Sequence, residues 1–270
     1  MTAKPWAPFS KSLTFPKKRY ISATNFIEME NSQTDAAEYI ILDEQQSNLR
    51  KFMSGVFTWM FVALGLSAAF AYFFATDASL LSLLVDTESG EMSWFGKIAL
   101  FSPLIMVLIM SFSFNRLSYL ALMLIFVTYA ALTGISLSFV LLAYTAGSVY
   151  TCFISAAALF GVMAVAGYYT QQDLTKFGAI LTFLLVGIII ASLVNWFLGS
   201  EQLDYIISFV GVAVFVGLTA YDVQKLKRIG MGVEYGEAST QKMMIMGALR
   251  LYLDFINLFL MLLRLFGRRN

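Results

Sequence analysis

From residue 52 onward the chain alternates long apolar runs with short polar connections. Seven runs stand out, near 52–75, 98–114, 117–143, 150–169, 177–198, 204–226 and 244–266. Each is long enough, or nearly so, to cross about 30 Å of hydrocarbon at about 1.5 Å per residue. Backbone polar groups in lipid need internal partners, and barrel-like alternation is absent, so the runs are expected to be helices. Short connections make chain neighbours antiparallel hairpins. The pattern predicts an all-α polytopic membrane protein with seven transmembrane helices.

Ahead of these runs lies a polar leader, residues 1–51, with Pro5, Pro8 and Pro16 and the basic cluster Lys17, Lys18 and Arg19. It has no apolar core followed by a small-residue cleavage site, so it does not read as a secretory signal. The expectation is a disordered cytoplasmic leader over 1–51 and a transmembrane domain over 52–270. Met29 is a second candidate start, which would place 1–28 upstream of the protein proper.

Composition agrees with the pattern. Hydrophobic residues make up 59% of the chain and charged residues 13%, too little charge to cover a soluble domain. A net charge of +1 and the lack of any Lys/Arg tract with interleaved aromatics give nucleic acid nothing to bind. Cys152 is the single cysteine and there is no histidine. Intrachain disulfides, His-based zinc sites and Ser-His-Asp or Cys-His catalysis are thereby excluded. No cofactor is called for.

Loop charges set the expected orientation. Arg50, Lys51, Arg116, Lys176, Lys225, Lys227, Arg228 and Lys242 fall on one side, and Lys97 beside Asp86, Glu88, Glu91, Glu201 and Asp204 on the other. The positive side is cytoplasmic, and so is the N-terminus. Arg264, Arg268 and Arg269 dissent, because a seventh crossing puts them outside; a re-entrant last segment would reconcile them. Small residues in "AAALFGVMAVAG" (156–167) and "GAILTFLLVG" (178–187) let helices approach closely. Pro103, inside the second run, removes a backbone hydrogen bond and is a candidate kink or hinge.

Three ionisable residues lie deep in the runs: Asp222, Arg250 and Asp254. A charge near the bilayer centre costs about 2.5–3.5 kcal/mol on insertion scales, so such groups face the bundle interior and have partners. Positions 250, 254, 257, 261 and 264 share one helical face, and it reads Arg, Asp, Asn, Met, Arg. Thr219, Asp222 and Lys225 share a face of the preceding helix. The hairpin brings Asp222 and Asp254 to similar depths, where two carboxyl groups would share a proton. The alternative needs no function: Arg250 neutralises Asp254 at i, i+4, and Asp222 pairs with Lys225.

"ALTGISLSFVLLAYTAGSV" (131–149), "GYYTQQDLTKFG" (167–178), "VGIIIASLVNWFLGS" (186–200), "GVAVFVGLTAYDVQKLK" (211–227) and "LRLYLDFINLFLMLLRLFG" (249–267) together resemble the Bax inhibitor-1 family, its bacterial branch most closely. The resemblance runs in order from about residue 50 to the C-terminus. It implies a bundle whose last helix is surrounded by the other six, in the inner membrane of a cell, and a pH-sensitive calcium leak. It also implies that Asp222 and Asp254 form a hydrogen-bonded proton sensor. In some members an arginine at the end of the second helix latches the pore, and Arg116 is the matching residue. The glutamate that some members carry in the second helix is missing from "IALFSPLIMVLIMSF" (98–112).

Tyr221-Asp222 with Asp254 also resembles the aspartate pair of intramembrane proteases. Those enzymes carry their second aspartate in Gly-x-Gly-Asp, whereas "YLDF" has no glycine, so proteolysis is not the expected activity. The expected function is a cation leak, calcium by the resemblance, gated by Asp222 and Asp254. Arg250 and Arg116 would tune or latch it, and Asn257 and Thr219 would line the path. The competing reading is a non-conducting regulator that binds a membrane protease or a stress or cell-death component.

Overall fold

Polar residues at the edges of the apolar runs decide where the helices begin. In the computed structural model, which describes residues 23–86 and 91–270 and side chains from residue 42 on, Ser93, Ser118 and Ser200 each accept a backbone N–H three residues ahead, at 3.0, 3.2 and 3.3 Å. These caps start α3 (Trp94–Ser113), α4 (Tyr119–Ala143) and α7 (Glu201–Met231). Each cap satisfies an N–H that a helix start leaves without a partner, worth about 1 kcal/mol. Gly199, in the left-handed region at φ 62°, ends α6 (Thr175–Leu198). The remaining helices are α1 (Ala23–Thr76), α2 (Ala78–Leu84), α5 (Ala146–Tyr169) and α8 (Ala238–Phe266).

Seven of these helices are long and apolar enough to cross a membrane, among the described residues. The protein is an all-α polytopic membrane protein. The chain divides into two compact units, 1–44 and 45–270, and the second holds the spans after residue 44. Its centre is α8, with 72% of its apolar stretch buried, against 11% for α6 and 17% for α3. Tyr252 of α8 packs edge-on against Tyr129 of α4 at 5.5 Å, and Phe255 against Phe153 of α5 at 5.3 Å. Gly167 of α5 lies so close to the backbone of Ala220 on α7 that a Cβ would collide with it.

α1 begins at Ala23, inside the polar stretch expected to be a leader. From there to Lys51 the chain has no Gly or Pro and carries several Glu, Gln and Ala, all good helix formers. The prolines, the Lys17–Arg19 cluster and Glu88 lie outside the described residues. The connection after α1 contains α2, capped by the Asp77 carboxylate, which accepts from Ser79 and Leu80 N–H at 2.8 and 3.1 Å.

The last segment is the continuous helix α8, one of the seven long and apolar enough to cross a membrane. At about 1.5 Å per residue, α8 has the length to run from one end of the bundle to the other. The residues after it clip onto the α4–α5 turn, where Asn270 N–H donates to Ala143 O at 3.0 Å and Thr145 N–H to Arg268 O at 2.9 Å. Two of the dissenting arginines have side-chain partners at that end. Arg264 pairs with Asp204 at 3.5 Å, and the Arg269 guanidinium lies 6.0 Å from the Tyr144 ring centre.

Candidate functional site

A cleft of about 780 Å³ opens between α3 and α6, with α7 and α8 as its floor. Leu104 and Val107 of α3 form one wall, and Leu185 and Ile189 of α6 the other. The floor carries Asp222 of α7 and the stripe Arg250, Asp254, Asn257, Met261 and Arg264 of α8. Arg250 and Arg264 are separated by fourteen residues of helix, about 21 Å along the axis. Towards the Arg264 end, Phe101 of α3 stacks on Trp196 of α6 at 6.1 Å.

Asp222 and Asp254 are each only 5% exposed and line the same cleft. Arg250 donates from Nη1 to Asp222 Oδ1 at 3.1 Å, across the α7–α8 contact. Arg250 and Asp254 make no ion pair of their own, nor do Lys225 and Asp222; the Lys225 ammonium lies 5.8 Å from the Tyr221 ring centre instead. The pairing expected from i, i+4 spacing is therefore absent. Asp254 Oδ2 is buried without a hydrogen-bond partner, a costly arrangement for a polar atom.

The other candidates divide. Asn257 lines the cleft while its amide donates to Leu253 O at 2.8 Å. Pro103 also lines it. The carbonyl of Ala99, four residues back, loses its helical donor to the proline and accepts instead from Ser102 Oγ at 3.1 Å and Ser136 Oγ of α4 at 2.6 Å. The turn freed by the proline is thus stitched to α4. Thr219 does not line the cleft: it is fully buried, and its hydroxyl donates to Phe215 O at 2.8 Å within α7. Arg116 is exposed on the turn after α3 and is not among the cleft residues. Carbonyls of that turn are held by Lys242, whose ammonium donates to Leu117 O at 2.8 Å.

Two polar networks around the site were not foreseen. Behind the aspartates, Tyr252 OH and Ser67 Oγ lie 2.7 Å apart, and Ser67 donates to Ala130 O at 2.6 Å, joining α8, α1 and α4. In the second network Gln224 and Lys227, within "AYDVQKLK", clamp the α5–α6 loop. Gln224 accepts from Leu174 N–H at 2.9 Å and donates to Gln172 O at 2.7 Å, while Lys227 donates to Tyr168 O at 2.8 Å. Arg228 completes the clamp on Asp173 at 2.6 Å. Hydrogen bonds from Thr175 and Arg228 hold the Asp173 carboxyl below the usual carboxylate range.

This loop and the α7 and α8 motifs around the aspartates fall inside a family match. The family described as "Inhibitor of apoptosis-promoting Bax1" matches residues 49–270. The chain belongs to the Bax inhibitor-1 family. Inner membrane protein YbhL of Escherichia coli (strain K12) is 43% identical over 228 residues, covering 84% of this chain and 95% of the relative. An uncharacterized protein of Rickettsia prowazekii is 40% identical over 222 residues, covering 82% and 91%. An uncharacterized membrane protein of Streptococcus pyogenes is 35% identical over 235 residues, covering 86% and 99%. The Bax inhibitor-1 match thus takes in every element that lines the cleft.

Proposed function

We propose that the protein passes cations, calcium among them, along the α3–α6 cleft under control of Asp222 and Asp254. One observation carries the reading: two buried carboxyl groups from adjacent helices both reach the floor of a cleft between membrane-spanning helices, with Arg250 on one of them. Charge inside a membrane is costly, and where it occurs it marks ion and proton paths. Two carboxyl groups in contact titrate as one unit, so the pair is suited to sensing protons. The other titratable groups lining the cleft are Lys225 and Tyr221 on α7, Tyr129 on α4, and Arg264 at the far end of α8.

Arg250 acts in this reading as a tethered cation. It occupies Asp222, and a passing ion competes with it for the same oxygen. Calcium takes about 6–8 oxygen ligands in a tight site. Among the described residues no three or more acidic, His or Cys side chains cluster to hold a metal. Weak, transient binding follows, which suits passage better than storage. The orientation proposed is an N-terminus in the cytoplasm of a cell with this protein in its inner membrane, by the loop charges and by likeness to YbhL.

The test is calcium entry into liposomes that hold the purified full chain and a trapped indicator. The expected result is a flux that varies with pH across the acid-to-neutral range. Liposomes that stay tight at every pH would leave the non-conducting regulator of a membrane-protein partner as the better reading.

A further inference from the structure

A second cleft, of about 490 Å³, shares no lining residue with the first and sits between α1 and the α7–α8 turn. Arg50, Lys51, Ser54, Thr58 and Trp59 of α1 line it together with Tyr235 of the turn. No carboxylate lines it, and neither Arg50 nor Lys51 forms an ion pair among the described residues. The Lys51 ammonium is held 5.5 Å from the Tyr235 ring centre, and Trp59 is fixed edge-on against Phe126 of α4 at 6.5 Å. One acidic neighbour in the turn is engaged elsewhere: the Glu237 carboxylate accepts from Ser239 Oγ at 2.9 Å.

Such a lining asks for an anion with several acceptor oxygens: two cations for its charge, two hydroxyls a helical turn apart for its oxygens. The same exposed face of α1 then changes character. Beyond Thr58 it presents Phe61 and Val62, 63% and 50% exposed. A ligand on this face meets cations and hydroxyls at one end and an apolar strip at the other. Tyr and Trp at the join are the side chains that favour a membrane–water interface. Basic pockets between membrane helices bind anionic headgroups on the same grounds.

We propose that this cleft is a binding site for one anionic phospholipid, its phosphate held by Arg50 and Lys51 and its acyl chains lying along Phe61 and Val62. The site is separate from the α3–α6 cleft and does not depend on ion conduction.

Native mass spectrometry of the purified full chain, titrated with phosphatidylglycerol or phosphatidylcholine, tests it. The expected result is one phosphatidylglycerol retained in preference to phosphatidylcholine, with affinity falling about fivefold for each of Arg50→Gln and Lys51→Gln. Lys97→Gln, remote in sequence and not part of the cleft, should leave retention unchanged. Thr58→Leu keeps both cations but fills the cleft, and should also lower retention, so the proposal stays testable if the charge variants fold poorly. Equal retention of the two lipids, or retention unaffected by all three cleft variants, overturns the proposal. Displacement of the lipid by millimolar-scale inorganic phosphate would overturn it too, since the site would then hold a free anion and the apolar strip would have no part.

Discussion

Arg250 of α8 reaches Asp222 on α7 at 3.1 Å and makes no ion pair with Asp254, four residues along its own helix. The ion pair therefore joins two helices rather than neutralising one. Replacing Arg250 with Gln leaves Asp222 buried without its cation. Because the arginine side chain is itself 47% exposed, the loss is discounted to about 1–3 kcal/mol of stability. Thermal unfolding in detergent checks this. The comparison is Arg228→Gln, whose ion pair with Asp173 is exposed on both sides and should cost at most about 1 kcal/mol. Equal losses for the two would mean that burial of Asp222 gives the inner pair no special weight.

Asp173 provides a titration outside the membrane-spanning helices. Its carboxyl is held below the ordinary aspartate value of 3.8 by Thr175 and Arg228. A carboxyl depressed in the folded state contributes stability that is fully present above its unfolded value and is lost as pH falls through its folded value. The clamp on the α5–α6 loop should therefore hold at neutral and mildly acid pH and loosen only in strong acid. A carbon-13 titration of the Asp173 carboxyl in micelles should give a midpoint below 3.8. Arg228→Gln should move that midpoint upward.

Close helix approach can be tested with two glycines of α5. A Cβ at Gly167 collides with the Ala220 backbone, whereas one at Gly161 meets nothing within 4 Å. Gly167→Ala should destabilise by about 1–3 kcal/mol, the usual cost of overpacking. Gly161→Ala should be neutral or stabilising by up to about 1 kcal/mol, from helix propensity. Similar effects of the two changes would show that α5 and α7 do not pack as closely as described.

Much of this architecture was legible because lipid imposes its demand on composition. Runs of apolar residues give the spans directly, and the period of the helix places Arg250, Asp254, Asn257, Met261 and Arg264 on one face without any knowledge of neighbours. What the sequence could not supply was the rotation and depth of one helix against another. That relation decides whether Arg250 meets Asp254 or Asp222, and whether Thr219 faces the cleft or bonds within its own helix. Arg116 was chosen by position at a helix end, and position says nothing of a partner. The helical residues before 52 were hidden by polarity, which marks a segment as solvated but not as unfolded. Nothing in the sequence marks Gln224 and Lys227 as a clamp, because the loop they hold lies about fifty residues away along the chain.

The two ends of the last helix give a topological prediction. Glu237 precedes α8, and Asn270 is tied to the α4–α5 turn at the other end. With buried Cys152 replaced by Ser, single cysteines at 237 and 270 should label from opposite sides of the membrane. An impermeant thiol reagent applied to intact cells should reach 270 and spare 237. Labelling of both sites from one side would contradict a full seventh crossing, and labelling of 237 alone would invert the proposed orientation.

The most direct measurement of the proposed mechanism is calcium flux against pH for the wild type, Asp222→Asn, Asp254→Asn and the double variant in liposomes. Asn keeps the shape and a hydrogen bond while removing the titration. If the two carboxyl groups act as one unit, either single change flattens the pH dependence and the double adds little beyond one single, because coupled groups are non-additive when removed. Arg250→Gln, with the tethered cation gone, should move the midpoint of the curve to higher pH. A pH response that survives in both single variants, with an unmoved midpoint in Arg250→Gln, would contradict the aspartate pair as the sensor.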